Sequence, residues 1–435
     1  MKKILSILMA LTLIVLFTLT WYSSRKTEQL FTAQINAFNQ TAPGLIKVDL
    51  QEYQRKLFTS TAQTALQIQG QDKIIFIHQI RHFVWGIKMT TILANNSDLA
   101  NAITTTIPLN QLPIITDISF LGASKSTLEL PQLSFQDDSG KLKMTGFSAS
   151  WDLNADLTMG GFTCQLENLQ RQQDNQNELN LTNLKISSQM TDLQDIPLGE
   201  GTLQVENLQL LEHGKPAIEF QNIQYRGQTD LTQKLFSNTA ELNFDQLSLA
   251  DETLRDGRLK LILSGIDTEL LHSLQQTAKQ LQLKALNQQG NPFELQLQLL
   301  GLYTQLLNSG ITLHLEDLSV KSGEDKISGN GVLTLLNESS ADGSLFSLAN
   351  IQTNFQLDID RGAFVTAYRL FNNLRSNGGN HQNPAVLAEQ AEQIAGGLVQ
   401  KGIFVQQGGD KFRVGFSWIK GQGTLNGNPF QRLNR

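Results

Sequence analysis

Histidines are the first residues to consider for chemistry, because imidazole binds metals and exchanges protons near neutral pH. Only His78 and His82 lie close together, four residues apart. On a helix that spacing would suit a metal ion. The surrounding sequence IIFIHQIRHFVWG instead predicts a strand, in which four residues span about 13 Å, too far for one ion. We therefore predict no metal site. The remaining histidines lie in unrelated segments, at His213, His272, His314 and His381.

Motifs for nucleophilic and nucleotide chemistry are incomplete in this sequence. Residues 146–152 and 415–421 lack the last glycine of a G-x-S-x-G elbow. Residues 23–26, SSRK, match S-x-x-K in spacing only, and they flank an apolar N-terminal stretch. The glycines within 323–331 lack the Gly-Lys-Ser/Thr ending of a phosphate-binding loop. None of these segments predicts a nucleophile or a nucleotide site.

The carboxylates and the single cysteine also favour structural roles. Asp358 and Asp360 alternate along a strand-like segment, which indicates a solvated face rather than an acid–base pair. Cys164 is alone, which excludes an internal disulfide and a zinc site built on several thiolates. Because it lies in an alternating apolar stretch, we expect it to be a buried small hydrophobe. We predict no catalytic residue, no cofactor and no enzymatic activity.

One phrase, apolar-x-apolar-x-x-apolar-x-apolar, recurs between residues 128 and 320. Its starts at 164, 179, 203, 218 and 242 are 15, 24, 15 and 24 residues apart, which makes a 39-residue repeat. Alternation places apolar side chains on one face of a strand. The spacing of three in the middle of the phrase would move the following apolar residues to the other face of the strand. They stay on the same face only if one residue forms a bulge or a corner, and Asn and Asp tolerate the backbone conformation that this requires. Steps of 15 predict adjacent hairpin strands, and steps of 24 predict one extra strand in between.

These repeats predict an α+β fold that is predominantly antiparallel β, with a large curved sheet or meander of repeated strands covered by several helices. Helical spacing marks candidate covers at 26–41, 267–288, 361–376 and 384–401, whereas 294–307 fits a helix or a strand. Either the chain itself closes the apolar face, or the face is an open groove completed by acyl chains or a partner's strand. The candidate groove lining is Leu203, Val205, Phe220, Leu242, Phe244, Leu247, Leu313, Leu315 and Leu318.

The N-terminus carries an apolar stretch without charge, residues 4–22. As a transmembrane helix it would be about 28 Å long, close to the hydrocarbon thickness of a bilayer. Trp21 and Tyr22 lie where an interfacial aromatic belt would lie. A cleaved secretory signal is the alternative, but it would normally be shorter and end in an A-x-A-like site, which does not follow here. We predict a single-pass, uncleaved anchor with residues 23–435 outside the cytoplasm.

The predicted segments divide the chain into six parts. They are a cytoplasmic tail at 1–3, the anchor at 4–22, an N-terminal α/β segment at 23–103, the repeated strands at 104–265, a helical insertion at 266–310, and a C-terminal β region at 311–435. The net charge of −6 and the scattered Lys and Arg residues exclude a concentrated basic surface for nucleic acid.

Three short segments resemble the YdgA-like family of bacterial proteins of unknown function. Residues 418–430 are similar to its closing pattern and residues 42–68 to its early segment. The matching positions of that early segment are Tyr53, Arg55, Ser60 and Ala62. The family's His-Gly-Pro element would correspond to residues 81–86, where His82 matches but Gly and Pro are missing. The resemblance implies a periplasmic protein anchored in the bacterial inner membrane, without an established activity.

More distantly, the apolar-faced strands resemble AsmA- and TamB-like proteins, which implies a lipid-conducting β-groove. We expect the chain to bind lipid or another amphiphile along its apolar face in maintenance of the cell envelope. The alternative is a structural or self-associating envelope module without a ligand, in which exposed sheet edges pair between copies. A hydrolase of envelope polymers is the third alternative. The expected partners are the membrane, a lipid and, in the self-associating case, a second copy.

Overall fold

The computed structural model describes most of the chain from residue 46 to residue 429 and part of the region before it. The described residues are 22, 24–33, 35–36, 39, 46–68, 73–94, 113–137, 140–173, 177–192, 196, 198–212, 214–249, 252–286, 297, 299–302, 304–305, 310–336, 350–375 and 383–429. The predicted anchor lies outside them, apart from Tyr22. None of the helices in the described part is long and apolar enough to cross a bilayer.

Twenty strands and four labelled helices make up the described structure. The strands are β1 (Ile46–Arg55), β2 (Thr59–Ile68), β3 (Ile74–Phe83), β4 (Gly86–Leu93), β5 (Ile114–Ser119), β6 (Ser124–Asp137), β7 (Gly140–Leu153), β8 (Gly160–Gln173), β9 (Asn177–Thr191), β10 (Leu198–Glu212), β11 (Lys215–Thr232), β12 (Leu235–Leu249), β13 (Glu252–Asp267), β14 (Thr312–Ser322), β15 (Asp325–Leu335), β16 (Ile351–Asp360), β17 (Val405–Gln406), β18 (Lys411–Ile419), β19 (Gln422–Leu425) and β20 (Asn428–Pro429). The helices are α1 (24–33), α2 (Thr268–Leu286), α3 (Arg361–Arg375) and α4 (Pro384–Gln400). Residues 299–302 and 304–305 are also helical.

All twenty strands belong to one antiparallel sheet. From β1 to β16 each strand pairs with the next strand in the chain. Strand β18 pairs with β16 on one side and with β17 and β19 on the other, and β20 pairs with β19. Among the described strands β1 has only β2 as a neighbour, so the sheet is open. The predicted meander is confirmed.

The extra residue of each repeat lies at one level across neighbouring strands, which we call the kink row. On alternate strands the row is occupied by residues with positive φ, namely Gly146, Asn183, Asn222 and Asp256. On the strands between them it is occupied by carboxylates, Glu167, Glu206 and Asp245, which are 39 residues apart. Both partners of a pair absorb a residue at this level, so the apolar face is the same above and below the row. The predicted kink, and the preference for Asn and Asp there, are confirmed.

The prediction of an extra strand within each 24-residue step is wrong. The phrases beginning at 179 and 203 lie on β9 and β10, which are direct neighbours, and those at 218 and 242 lie on the neighbours β11 and β12. The kink row lies nearer to one end of these strands, which have 15 to 18 residues. The chain segment from one kink to the next is therefore short where it passes through the nearer turn and long where it passes through the farther turn. The 39-residue repeat is therefore one hairpin.

The predicted helices form, and their first residues explain where they begin. The Asp267 carboxylate accepts the Leu270 amide at 3.0 Å and caps α2. In α4, Asn383 caps the helix by accepting the Ala385 amide at 2.9 Å, and Pro384 occupies the first turn, where its missing N–H costs nothing. These two caps define helix starts within a residue or two of those the sequence predicts.

Several helices pack on the sheet, as predicted, but the described helices cover it at its two ends only. At the N-terminal end Phe31 of α1 packs on Ala62, Ile80 and Ile87. At the C-terminal end α3 and α4 pack with Ile359 and Phe412, and α3 reaches from β13 to β16. Between them, no described helix packs on β6 to β12. Because this stretch of sheet is long and the helices are short, its apolar face lacks a cover within the described part of the chain.

Candidate functional site

The face of the sheet between the two helical ends, on which no described helix packs, is the main candidate site, and we call it the apolar face. Its side chains line up in rows across the strands. One row joins Leu203, Tyr225, Leu242, Leu259 and Leu318, and each member is the register partner of the next. This row crosses five strands, β10 to β14, and its only polar group is the Tyr225 hydroxyl. Other rows of the same face are also mainly apolar, but they include Thr229 and Asn238 beside Leu263, and Glu252 beside Leu249. This arrangement can bind long apolar molecules.

All nine predicted lining residues lie on this face. Phe220 and Leu247 are partners in a second row, and Leu313 and Leu315 oppose Leu263 and Leu261 of β13. The Phe244 ring meets Phe220 edge to face, with the ring centroids 6.0 Å apart. It occupies space that only Gly257 leaves free, because a Cβ there would lie 2.1 Å from the ring. Val205 is buried, Leu242 and Leu313 are exposed, and the other six are half-buried.

The opposite face of the same strands is polar and charged. Lys260 pairs with Glu241 at 3.3 Å and with Glu316 at 2.8 Å, which raises the pKa of the ammonium group, mainly through its hydrogen bonds to the two carboxylates. At the kink row the Asn222 amide donates to Asp245 at 2.7 Å. The two faces therefore differ sharply, as the alternation predicts, and an apolar ligand is restricted to one of them.

A second group of side chains, buried under α1, could carry chemistry. Its centre is His78, whose Nε2 lies 2.8 Å from the Thr64 hydroxyl and whose Nδ1 lies 2.8 Å from the Thr91 hydroxyl. Burial lowers the pKa of His78 to about 4, and the Phe31 ring packs edge-on at a centroid distance of 5.3 Å. The ring is therefore neutral at physiological pH and bonds one hydroxyl as a donor and the other as an acceptor.

Beside it, Ser60 and His82 form a pair in which the hydroxyl lies 2.8 Å from Nε2. Such a pair could activate a nucleophile, but Ser60 is only 2% exposed and His82 only 4%. Among the described residues, Nδ1 of His82 has no hydrogen-bond partner, so no third group orients the base. Burial lowers the pKa of His82. In this conformation a substrate cannot reach the Ser60 oxygen, and the pair holds β2 against β3.

The two histidines of β3 thus bind hydroxyls rather than each other. No group of three or more His, Cys, Asp or Glu side chains that could hold a metal ion occurs in the described part of the chain. Sequence reasoning missed the buried hydroxyls around the histidines, Thr64, Thr91, Thr116 and Ser126. A signal existed, because Ser60, Ala62 and Thr64 alternate on β2 where large apolar residues would be expected.

Two other predicted positions are confirmed. Cys164 is buried opposite Ala149 and Ile186, and burial raises the pKa of its thiol. Asp358 lies at the surface and pairs with Arg413, with the Nε to Oδ1 distance at 2.6 Å, a contact that holds the pKa of the carboxyl below its usual value. Asp358 therefore stays ionised at neutral pH.

Comparison with known proteins gives one match. No curated protein and no solved structure matches the chain. The model of a family described as bacterial proteins of unknown function (DUF945) matches residues 1–432, nearly the whole chain. The chain therefore belongs to this bacterial family of unknown function.

Proposed function

We propose that this protein is a membrane-anchored protein of the bacterial cell envelope that binds the acyl chains of lipids along its apolar face. The observation that carries the proposal is the row of apolar side chains that crosses β10 to β14. On β10, β11 and β12 no helix of the described part of the chain packs on this row. An exposed apolar surface of this length is unfavourable in water, and apolar ligands or partners normally occupy such surfaces.

Lipid is the occupant that the sequence favours. The uncharged apolar stretch at 4–22 would place the chain at a bilayer, where acyl chains are the most abundant apolar molecules. The row from Leu203 to Leu318 offers an acyl chain only apolar side chains and the Tyr225 hydroxyl. A bound strand would pair with the backbone at a sheet edge, which this face does not provide. We also propose the narrower kinships, to YdgA-like proteins and more distantly to AsmA- and TamB-like β-groove proteins, on the motif residues and this face. The location that goes with them is the inner membrane, with the bulk of the chain in the periplasm.

Photo-crosslinking from the two faces of one strand tests the proposal. The photoreactive residue p-benzoylphenylalanine replaces either Leu242, on the apolar face, or its neighbour Asn243, on the polar face, in the full-length protein in bacterial membranes. Asn243 is the matched control because it is also exposed and its partner is Arg258. After irradiation, we expect mass spectrometry to find lipid adducts at position 242 and few at 243. Equal yields at the two positions, or none at 242, would contradict lipid binding.

The same experiment separates the second candidate function. In a self-associating envelope module without a ligand, position 242 would give few lipid adducts, and the photoreactive residue placed at exposed Gln51 on β1 would give a covalent dimer of the chain. The edge of β1 is the observation that favours this candidate, because a second copy can pair with the backbone groups of this strand that Asn39 does not bond.

A further inference from the structure

Large apolar side chains are concentrated in four successive turns at one end of the strands. Phe58 lies between β1 and β2, Trp85 between β3 and β4, Phe120 and Leu121 between β5 and β6, and Met159 before β8. We call these five residues the turn surface. Leu121 is 83% exposed, Trp85 74% and Phe58 56%. Since antiparallel neighbours turn alternately at opposite ends, these turns all lie at the same end of the sheet.

Hydrogen bonds hold these turns in defined positions. The Phe120 amide donates to the Trp85 carbonyl at 3.0 Å, and the His82 amide donates to the Phe58 carbonyl at 2.9 Å. Trp85 stacks on Phe83, with the ring centroids 5.5 Å apart. The exposed rings are therefore presented by an ordered part of the sheet.

The described chain begins at this same end. The Tyr22 ring lies 6.2 Å from the Phe120 ring, and the Lys26 ammonium lies 5.1 Å from the centre of the Phe120 ring. Ser24 is buried and donates its hydroxyl hydrogen to the Lys56 carbonyl, at 3.0 Å, in the turn between β1 and β2. Tyr22, the last residue of the uncharged stretch 4–22, therefore lies at the turn surface.

We propose that the turn surface lies on the lipid bilayer, with its aromatic and aliphatic side chains among the headgroups. Trp, Tyr and Phe are the side chains that favour this zone, and exposed Lys56 beside Phe58 would attract anionic lipid. A cleft of about 790 Å³ beside Trp85 and Met159 is lined by Lys88 and Lys125 and also by Asp117 and Asp152, so charges of both signs lie at the rim of the sheet. This proposal rests on the membrane anchor of the proposed function. It adds which end of the sheet contacts the lipid.

Labels on single cysteines test this docking. In full-length protein with Cys164→Ala, a cysteine carrying the fluorophore NBD replaces Phe58, Trp85 or Leu121 in turn. Val405→Cys is the control, because Val405 is also apolar and exposed but lies opposite Arg413 on β18, at the opposite end of the strands. The proteins are inserted into vesicles of phosphatidylethanolamine and phosphatidylglycerol that contain a spin-labelled lipid as a quencher. Circular dichroism confirms that each labelled protein is folded.

We expect a blue-shifted NBD emission and strong loss of fluorescence to the lipid quencher at all three turn positions, and neither at Val405. Quenching at the turn positions no greater than at Val405 would overturn the docking. A blue shift that depends on protein concentration in detergent and not on the lipid quencher would also overturn it, since it would assign the turn surface to self-association. Lipid adducts at Leu242 are measured separately, so either proposal can fail while the other stands.

Discussion

The two histidines of β3 differ in how well their ring nitrogens are satisfied. Both nitrogens of His78 meet a hydroxyl, whereas only Nε2 of His82 does so within the described structure. A buried polar atom without a partner costs about 1–3 kcal/mol, so the His82 side is the weaker part of the cluster. The hydrogen bonds of His78 require a neutral ring, since the charged form has no acceptor nitrogen. This requirement links the stability of the N-terminal strands to pH.

Stability of β2 to β4 is expected to fall as the pH is lowered. The folded pKa of His78, about 4, lies below the unfolded value of 6.5, so the unfolded chain binds the proton first. The stabilisation is complete above pH 6.5 and is lost between pH 6.5 and 4, by up to about 3 kcal/mol. Hydrogen exchange of these strands, corrected for intrinsic rates, measures the local free energy of opening.

His78→Gln should remove most of this pH dependence, because glutamine does not titrate. His314→Gln is the control, since His314 is exposed on β14 and should leave the pH dependence intact. A His78→Gln protein with the same loss of protection between pH 6.5 and 4 as the wild type would show that another group is responsible.

At the level of single elements, the kink row explains how long strands keep one apolar face. Asn222 lies at φ 52°, a conformation that asparagine tolerates and that costs a β-branched residue about 1–2 kcal/mol. Because the kinks lie side by side, each strand depends on its neighbour absorbing a residue at the same level. A change in one kink should therefore disturb the register of the strands beside it.

Asn222→Val should weaken protection of β11 and its neighbours, whereas Asn222→Gly should not. Both substitutions remove the exposed hydrogen bond to Asp245, but only valine opposes the left-handed backbone. We expect the valine protein to be less stable than the glycine protein by about 1–2 kcal/mol in local hydrogen exchange. Equal protection in the two proteins would mean that the backbone at the kink row is unstrained.

The described structure is an open sheet. Its apolar face and its free edges are the two features that would favour unspecific association with other molecules. The apolar face has its proposed occupant in lipid. The edge at β1 is blocked by Asn39, whose amide nitrogen donates to the Val48 carbonyl at 2.7 Å and whose amide oxygen accepts the Val48 amide at 2.8 Å. This side chain occupies the positions that a further strand would use at Val48, so it opposes edge-to-edge pairing there.

Asn39→Ala should increase self-association of the chain, because it frees the backbone groups of Val48 at the edge. Crosslinking of the full-length protein in membranes, over a range of expression levels, should give more dimer than in the wild type. Gln51→Ala, an exposed change on the same strand, should not. If the Asn39→Ala protein forms no more dimer than the Gln51→Ala protein, the β1 edge is not a pairing surface.

The sequence by itself determined the local features of this protein. The alternation of apolar residues, the Asn and Asp residues of the kink row, and the caps at Asp267 and Asn383 each act through the backbone within a few residues, so they can be read without the fold. The nine predicted lining residues share one face for the same reason, because they follow the period of two on either side of the kink row.

Only the tertiary structure decided which strands are neighbours, where the helices cover the sheet, and which turns meet at the start of α1. The 24-residue steps join adjacent strands because the kink row is off-centre, which depends on where the turns fall. Ser60 and His82 meet because β2 and β3 pair in one register among several possible ones. Such contacts depend on long-range pairing and on what covers each face, and no local pattern of residues specifies either.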